Sequence, residues 1–315
     1  MEGNDGNGGR PLYRPYRWAA ADFQVGLLPI RANQWILIDS GHEAIMREKR
    51  ERLAAFPTLY YRTLPDSLAA QQELRERVIA HVVTDYPEHF ERTGPSVRSR
   101  VTGVECDLTD HSIEPLRQLS DLIEEDFMLI QEVDGAPRIT AASNAYSSSG
   151  RLVASVGRDI AWAHQPVPGL TLKLGPRINR VLDSVHPATP CERFNWQLTP
   201  MSTIFFPHDD PHAANAAAMH GIRRSLCENP ERAGELLWIR VERQTLSRLP
   251  DSRAVAFSLH TYSDPLSSLR ADVASVRAML ALLRDYSEER CKYSEMDIVR
   301  EPVIAWLESA ANQSA

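Results

Sequence analysis

The segment His208-Asp209-Asp210-Pro211-His212 sets two imidazoles and two carboxylates within five residues, a donor set that suits non-haem iron. It lies in a Pro- and Ala-rich stretch, Pro207 to Asn229, without signs of burial, so a polar loop with a short Ala-rich helix is the plainer expectation. His164 precedes Gln165-Pro166-Val167-Pro168-Gly169, where the prolines fix the backbone and can hold an imidazole in one pose. The alternative is a loop histidine that bonds a carbonyl to shape the turn. His81 falls at helical spacing with Leu74, Val78 and Val82, which suits either a ligand or a satisfied core histidine. Arg243 shares a strand face with Leu237, Ile239, Val241 and Thr245. An arginine stays charged, so on such a face it needs a carboxylate, either from the protein or from a bound acid group. Arg193 and Asn195 share the face of another strand, and Glu242 and Tyr146 have the chemistry to hold a protonated amine. Trp196 and Tyr262 read as core aromatics.

The elements that must position these side chains follow from periodicity. Leu236 to Leu266 predicts two strands joined by a turn at Leu249-Pro250-Asp251-Ser252, where proline fixes φ and Asp or Ser bonds the local backbone. Phe127 to Glu132 and Arg138 to Tyr146 flank Asp134-Gly135 and predict a hairpin. Asn195 to Leu198 predicts a further strand. The order is two strands, a helical excursion, then three strands. Helices are expected from Asp39-Ser40 to Ala55, over 66–84 with Tyr86-Pro87 as its stop, over 113–125, and near 266–285 and 297–311. The basic run Arg47, Lys49, Arg50 and Arg52 reads as a solvated face.

Composition excludes several classes. Acidic residues number 42 against 35 basic ones, a net charge of −7, and no basic run suggests a nucleic-acid partner. The four cysteines, Cys106, Cys191, Cys227 and Cys291, form no C-x-x-C pair, which suits free thiols in a reducing cytosol. Without C-x-x-C-H, any haem would be non-covalently held. No apolar run approaches the roughly 20 residues that span a bilayer, and MEGNDGNGGR lacks a signal-peptide core. The expectation is a soluble, cytoplasmic protein.

The hairpin residues Val241-Glu242-Arg243-Gln244-Thr245-Leu246 and Arg248-Leu249-Pro250 resemble the haem-dependent oxidative N-demethylase alpha-subunit family. The resemblance continues in order through Gly26-Leu27, Trp35-Ile36-Leu37-Ile38-Asp39, Tyr86-Pro87, Glu125-Asp126-Phe127, His164 to Gly169 and Arg193-Phe194-Asn195-Trp196. It covers about residues 20 to 310. It implies an α+β fold: a PAS-like antiparallel sheet with an N-terminal helical lobe and C-terminal helices. The expected divisions are a disordered tail over 1–15, the lobe over 16–125, the PAS-like haem-binding domain over 126–265, and helices packed on the sheet over 266–315.

It also implies haem b, with His164 as the axial ligand to iron and His81 as the alternative, and with Arg243, Arg193 and Asn195 toward the propionates. The implied activity is O₂-dependent oxidation of a small amine by a monooxygenase-type N-demethylase. No flavin or NAD fingerprint is present, so electrons would come from a separate reductase. The alternatives are a haem-based gas or redox sensor and a haem-binding protein without catalysis; no kinase, cyclase or DNA-binding output domain is expected in this chain. Many family members carry Cys-Phe-Pro-Ser-x-Trp and then a lysine after the second strand. Here Asn144-Ala145-Tyr146-Ser147-Ser148-Ser149-Gly150 stands there, with Arg158 further on, so substrate identity does not carry over.

Overall fold

A computed structural model describes residues 12–19, 26–146, 151–163, 180–205 and 211–313. Among them the strands are β1 (Leu28–Pro29), β2 (Tyr61–Thr63), β3 (Phe90–Thr93), β4 (Ser96–Ser99), β5 (Glu105–Asp107), β6 (Asp126–Val133), β7 (Ala136–Ser143), β8 (Cys191–Thr199), β9 (Trp238–Arg248) and β10 (Val255–Pro265). They form an α+β fold with a seven-stranded antiparallel sheet, ordered β1-β8-β9-β10-β6-β7-β2, and a separate three-stranded sheet, β3-β4-β5. The five long strands thus place the first beside the last, with the second and third further out. The excursion between β7 and β8 contains the short helices Arg151–Ala154 and Ile160–Ala163.

Local chemistry explains both hairpins. Asp134 and Gly135 both take positive φ, 53° and 75°, the conformation that a two-residue turn between twisted strands demands. The longer turn from β9 to β10 is held from outside: the Glu73 carboxylate accepts from Asp251 N at 2.9 Å and Ser252 N at 2.8 Å. Glu73 sits on the helix Leu68–Asp85, so a single carboxylate pins the sheet to the lobe.

Strand alternation gives the sheet two working faces. On the lobe face, Phe127, Leu129, Ala141, Ala254 and Ala256 pack against Leu74, Val78, Ile79 and Val82 and against Leu116, Leu119 and Leu122. Further along this face Trp196, Leu198, Ile239 and Val241 meet Val276, Met279, Val303, Trp306 and Leu307 of the C-terminal helices. Each fully buried Leu, Val, Ile, Phe or Met among them stabilises the fold by roughly 1.5–3 kcal/mol through area removed from water. On the excursion face, Met128, Ile130, Ile139, Leu246 and Val255 meet Val153, Val156, Ile160, Leu182 and Val185.

The structure differs from the sequence reading in several places. The third expected helix runs only over Pro115–Leu122, and Ile123 is already extended, so Glu124-Glu125 lead into β6. Pro211–Glu228 is one long helix rather than a polar loop, because its alanines favour helix and Met219 and Leu226 bury against the C-terminal helices. Lys49 is not solvated. It lies with His42, Met46 and Leu53 on the buried stripe of the helix His42–Ala55, and its own exposure is 0%. Tyr13 packs against Phe194 and Tyr262, and Arg14 pairs with Asp272 at 2.6 Å, which fastens this segment to the C-terminal helix Val273–Asp285.

Asp264, near the end of β10, gives a pH test. Burial pushes its carboxyl up from 3.8 to about 6, with one opposing backbone bond from Leu12. A raised carboxyl pKa means that the folded state holds its proton longer, so stability declines as pH rises from about 4 through 6 and stays lower above. Asp264→Asn should lose less stability than the wild type between pH 4 and pH 7.5, by roughly 2 kcal/mol. Urea unfolding at the two pH values measures this, and equal losses would mean that Asp264 ionises without cost.

Candidate functional site

Two polar arrays occupy opposite faces of the sheet, and β9 contributes to both. On the lobe face His260 projects beside Arg243, its cross-strand partner. His260 Nε2 is 3.2 Å from Asp39 Oδ2 and 3.3 Å from Glu124 Oε2, and Nδ1 is 3.3 Å from Glu125 Oε1. Glu125 Oε1 also accepts from Leu37 N at 2.8 Å. His42 Nδ1 sits 2.6 Å from the other oxygen of Glu124. The Tyr262 ring stacks on His260, with centroids 4.7 Å apart and planes 6° from parallel.

Burial opposes charge on His260, but its bonds to Asp39, Glu124 and Glu125 prevail and hold its pKa well above the ordinary imidazole value. Burial would likewise raise Glu124, yet hydrogen bonds from His260 and His42 and their charge lower it to about 2. Lys49, on the next stripe of the lobe, donates to the carbonyls of Ile123, Glu124 and Glu125 at 3.1, 2.9 and 2.7 Å and pairs with Asp126 at 3.2 Å. The backbone that presents both glutamates is therefore fixed by one buried ammonium.

Arg243 has its partners inside the protein. Its Nε is 2.8 Å from Glu192 Oε2, and the guanidinium also donates to the backbone carbonyls of Trp35 and Gln34. The acid group that its sequence position demanded is thus a glutamate of the neighbouring strand. His81 is likewise engaged at both nitrogens: Nε2 is 3.1 Å from the Ile36 carbonyl and Nδ1 is 3.0 Å from Asp85 Oδ2.

The excursion face carries Arg193, Asn195, Arg240, Glu242 and Gln244. Register pairs Arg193 with Gln244 and Asn195 with Glu242, so these side chains project away from Arg243. Arg193 and Arg243 therefore cannot contact the same bound group from one face. Arg240 is buried, donates to the Ile204 and Tyr146 carbonyls and lies 3.7 Å from Glu242. Glu242 also faces Asn195 Nδ2 at 3.4 Å and Gln244 Nε2 at 3.1 Å. Burial lowers the pKa of Arg193, partly offset by the charge of Glu242. The Arg193 side chain makes no hydrogen bond to another described residue. Tyr146 is buried against Phe205, with Lys49 over its ring. Trp196 and Tyr262 are packed aromatics, as their positions suggested.

His164 and the donor atoms of the His208 to His212 motif lie outside the described residues. The lobe-face cluster escaped sequence reasoning, although two signals were present. The acidic run Glu124-Glu125-Asp126 immediately precedes an apolar strand, and His260 follows the small residues Ala254, Ala256 and Ser258 on one face. Neither signal shows what lies opposite it.

A family model for haem-dependent oxidative N-demethylase, alpha subunit-like proteins matches residues 26–304. The chain belongs to this family. Membership carries haem dependence and an oxidative demethylase type of chemistry, and an alpha-like subunit implies a partner subunit or reductase. Among the described residues no helix is long and apolar enough to cross a membrane.

The two arginines should behave differently in the haem-free protein. Arg243→Leu leaves Glu192 and two carbonyls unpaired and should cost roughly 3–5 kcal/mol in urea unfolding. Arg193→Leu, which breaks no hydrogen bond, should change stability by less than about 1 kcal/mol. Equal costs would contradict this division of roles.

Proposed function

We propose that residues 126–265, flanked in the chain by the helical lobe of 16–125 and the C-terminal helices of 266–315, form a PAS-like domain that holds haem b non-covalently on the excursion face of the sheet. The observation that carries the reading is the strand order with its excursion: an apolar wall of Met128, Ile130, Leu246 and Val255 faces Val153, Val156 and Ile160, with Arg193 at the polar margin. An apolar wall beside a cation without a hydrogen-bond partner suits a flat macrocycle with carboxylate tails. His164 follows directly on the helix Ile160–Ala163, whose Ile160 belongs to this apolar wall, so it is the proposed axial ligand. Arg193, with Asn195 beside it, is the proposed propionate partner. His81 and Arg243, whose polar atoms are already satisfied on the lobe side, are proposed as structural.

When bound, the haem supplies the iron that activates O₂. The protein's own part is to orient and to exclude water. The Glu242 carboxylate, with Asn195 and Gln244 around it, offers a negative charge to a protonated small amine, which would then be oxidised at a carbon next to nitrogen. The segment 144–150 departs from the sequence many members carry after the second strand, and Tyr146 within it is buried against Phe205. A separate reductase would deliver the electrons.

Visible spectroscopy of protein from haem-supplemented cells tests the reading. A Soret band near one equivalent per chain is expected, and amine-dependent formaldehyde release with a reductase should accompany it. A band without turnover of any small amine would favour the sensor or binding reading, and a colourless reconstituted protein would reject haem altogether. His164→Ala should shift the ferric spectrum and weaken haem retention, and Arg193→Leu should weaken retention alone. His81→Ala should leave the spectrum unchanged; loss of the band in that variant would move the ligand to the lobe.

A further inference from the structure

We infer that Asp39, Glu124 and His260 form a site for one divalent transition-metal ion on the lobe face, across the sheet from the proposed haem slot. Asp39 Oδ2, Glu124 Oε2 and His260 Nε2 lie within 4.8 Å of one another. Bonds of about 2.0–2.2 Å to a common ion place donor atoms about 3.0–3.5 Å apart. The two measured edges, 3.2 Å from Asp39 to His260 and 3.3 Å from Glu124 to His260, already have that length.

Three further observations point to a cation. Glu124 and Glu125 are 1% and 0% exposed, yet Glu125 Oε2 has no hydrogen-bond donor and Glu124 Oε2 meets only His260 Nε2, at 3.3 Å. A buried carboxylate oxygen short of donors is costly, and an ion held between Glu124 Oε2 and His260 Nε2 removes that cost for Glu124. Secondly, three carboxylates, Asp39, Glu124 and Glu125, face two imidazoles, His260 and His42. Even with both imidazoles protonated the cluster holds more negative than positive charge. The nearest other cations are committed, Lys49 to three carbonyls and Asp126, and Arg243 to Glu192.

The third observation is the support around the donors. Glu125 holds His260 Nδ1, and His42 holds the second oxygen of Glu124, which is how outer groups fix metal-binding imidazoles and carboxylates. One imidazole with two carboxylates suits Mn²⁺, Fe²⁺, Co²⁺ or Zn²⁺ better than Mg²⁺ or Ca²⁺, which prefer all-oxygen sites. Asp39, 30% exposed, is the side from which an ion reaches the cluster. Binding replaces a proton: the Nε2–H proton passes to solvent, and the nitrogen lone pair goes to the metal.

The test uses the full chain, stripped with a chelator and then titrated with Zn²⁺ and with Co²⁺. One ion per chain is expected after gel filtration, measured by elemental analysis separately from haem iron. Thermal stability should rise on addition, and Co²⁺ should show visible bands of a nitrogen- and oxygen-ligated centre. Asp39→Asn, at the exposed edge where folding is safest, should weaken binding tenfold or more while the Soret band keeps its intensity. His208→Ala with His212→Ala should leave the affinity intact. Failure of the chain to retain any ion, or equal affinity in Asp39→Asn and wild type, would overturn the site and leave a proton as the only bridge. Loss of binding in the His208/His212 variant would overturn it in favour of that other motif. None of these outcomes bears on whether haem is bound.

Discussion

One buried imidazole ties the molecule together. His260 stands on the central strand pair and is met by carboxylates from two separate parts of the lobe, Asp39 before the first helix and Glu124-Glu125 at the start of β6. Opposite charges taken out of water attract strongly, but only when hydrogen bonds satisfy what desolvation exposes. The surroundings meet that condition in part. Leu37 N, His42 and the Lys49 contacts to the backbone fix the carboxylates, and the stacked Tyr262 ring covers the imidazole. The lobe therefore cannot slide on the sheet without stranding charge, whatever its apolar packing would tolerate.

This constraint gives the sheet two unlike faces. The lobe face is a surface of apolar packing and buried ion pairs, with Arg243 and His81 both anchored to backbone of the Gln34–Ile36 segment. The excursion face is apolar but backed by short helices, and its polar margin keeps Arg193 without a hydrogen-bond partner among the described residues. Rigidity on one side lets the other be specialised, because a site needs its supporting shell held by elements that do not move. One strand contributes to both faces, since successive side chains along β9 alternate between Arg243 and the Glu242–Gln244 pair.

Much of this fold is legible from local chemistry. Asp134-Gly135 predicts its hairpin because only residues tolerant of positive φ suit that turn. Leu249-Pro250-Asp251-Ser252 predicts the other turn, and Leu74, Val78 and Val82 predict the buried stripe of the lobe's long helix. The two short edge strands β1 and β2 and the small sheet β3-β4-β5 are not legible, because two to four residues are too few to show a period. Lys49 misleads for a related reason. Its neighbours Arg47, Arg50 and Arg52 mark a solvated run, while its spacing from His42, Met46 and Leu53 marks a buried one, and only its carbonyl partners decide between them.

By itself, then, the sequence determines the α+β class, the order of strands about the excursion, the family, and the presence of an arginine at 243 that must find an anion. Apart from the family, which rests on motifs spread along the chain, these are properties of periodicity, turn chemistry and charge, all of which act over a few residues. Which anion Arg243 finds, and which face each arginine serves, is decided only by tertiary structure. Register places Glu192 beside Arg243 and turns Arg193 to the other side, and register is a relation between strands about 50 residues apart in the chain. The His260 cluster is of the same kind: its members come from residues 39, 42, 124, 125 and 260, and only the closing of the lobe onto the sheet makes them neighbours.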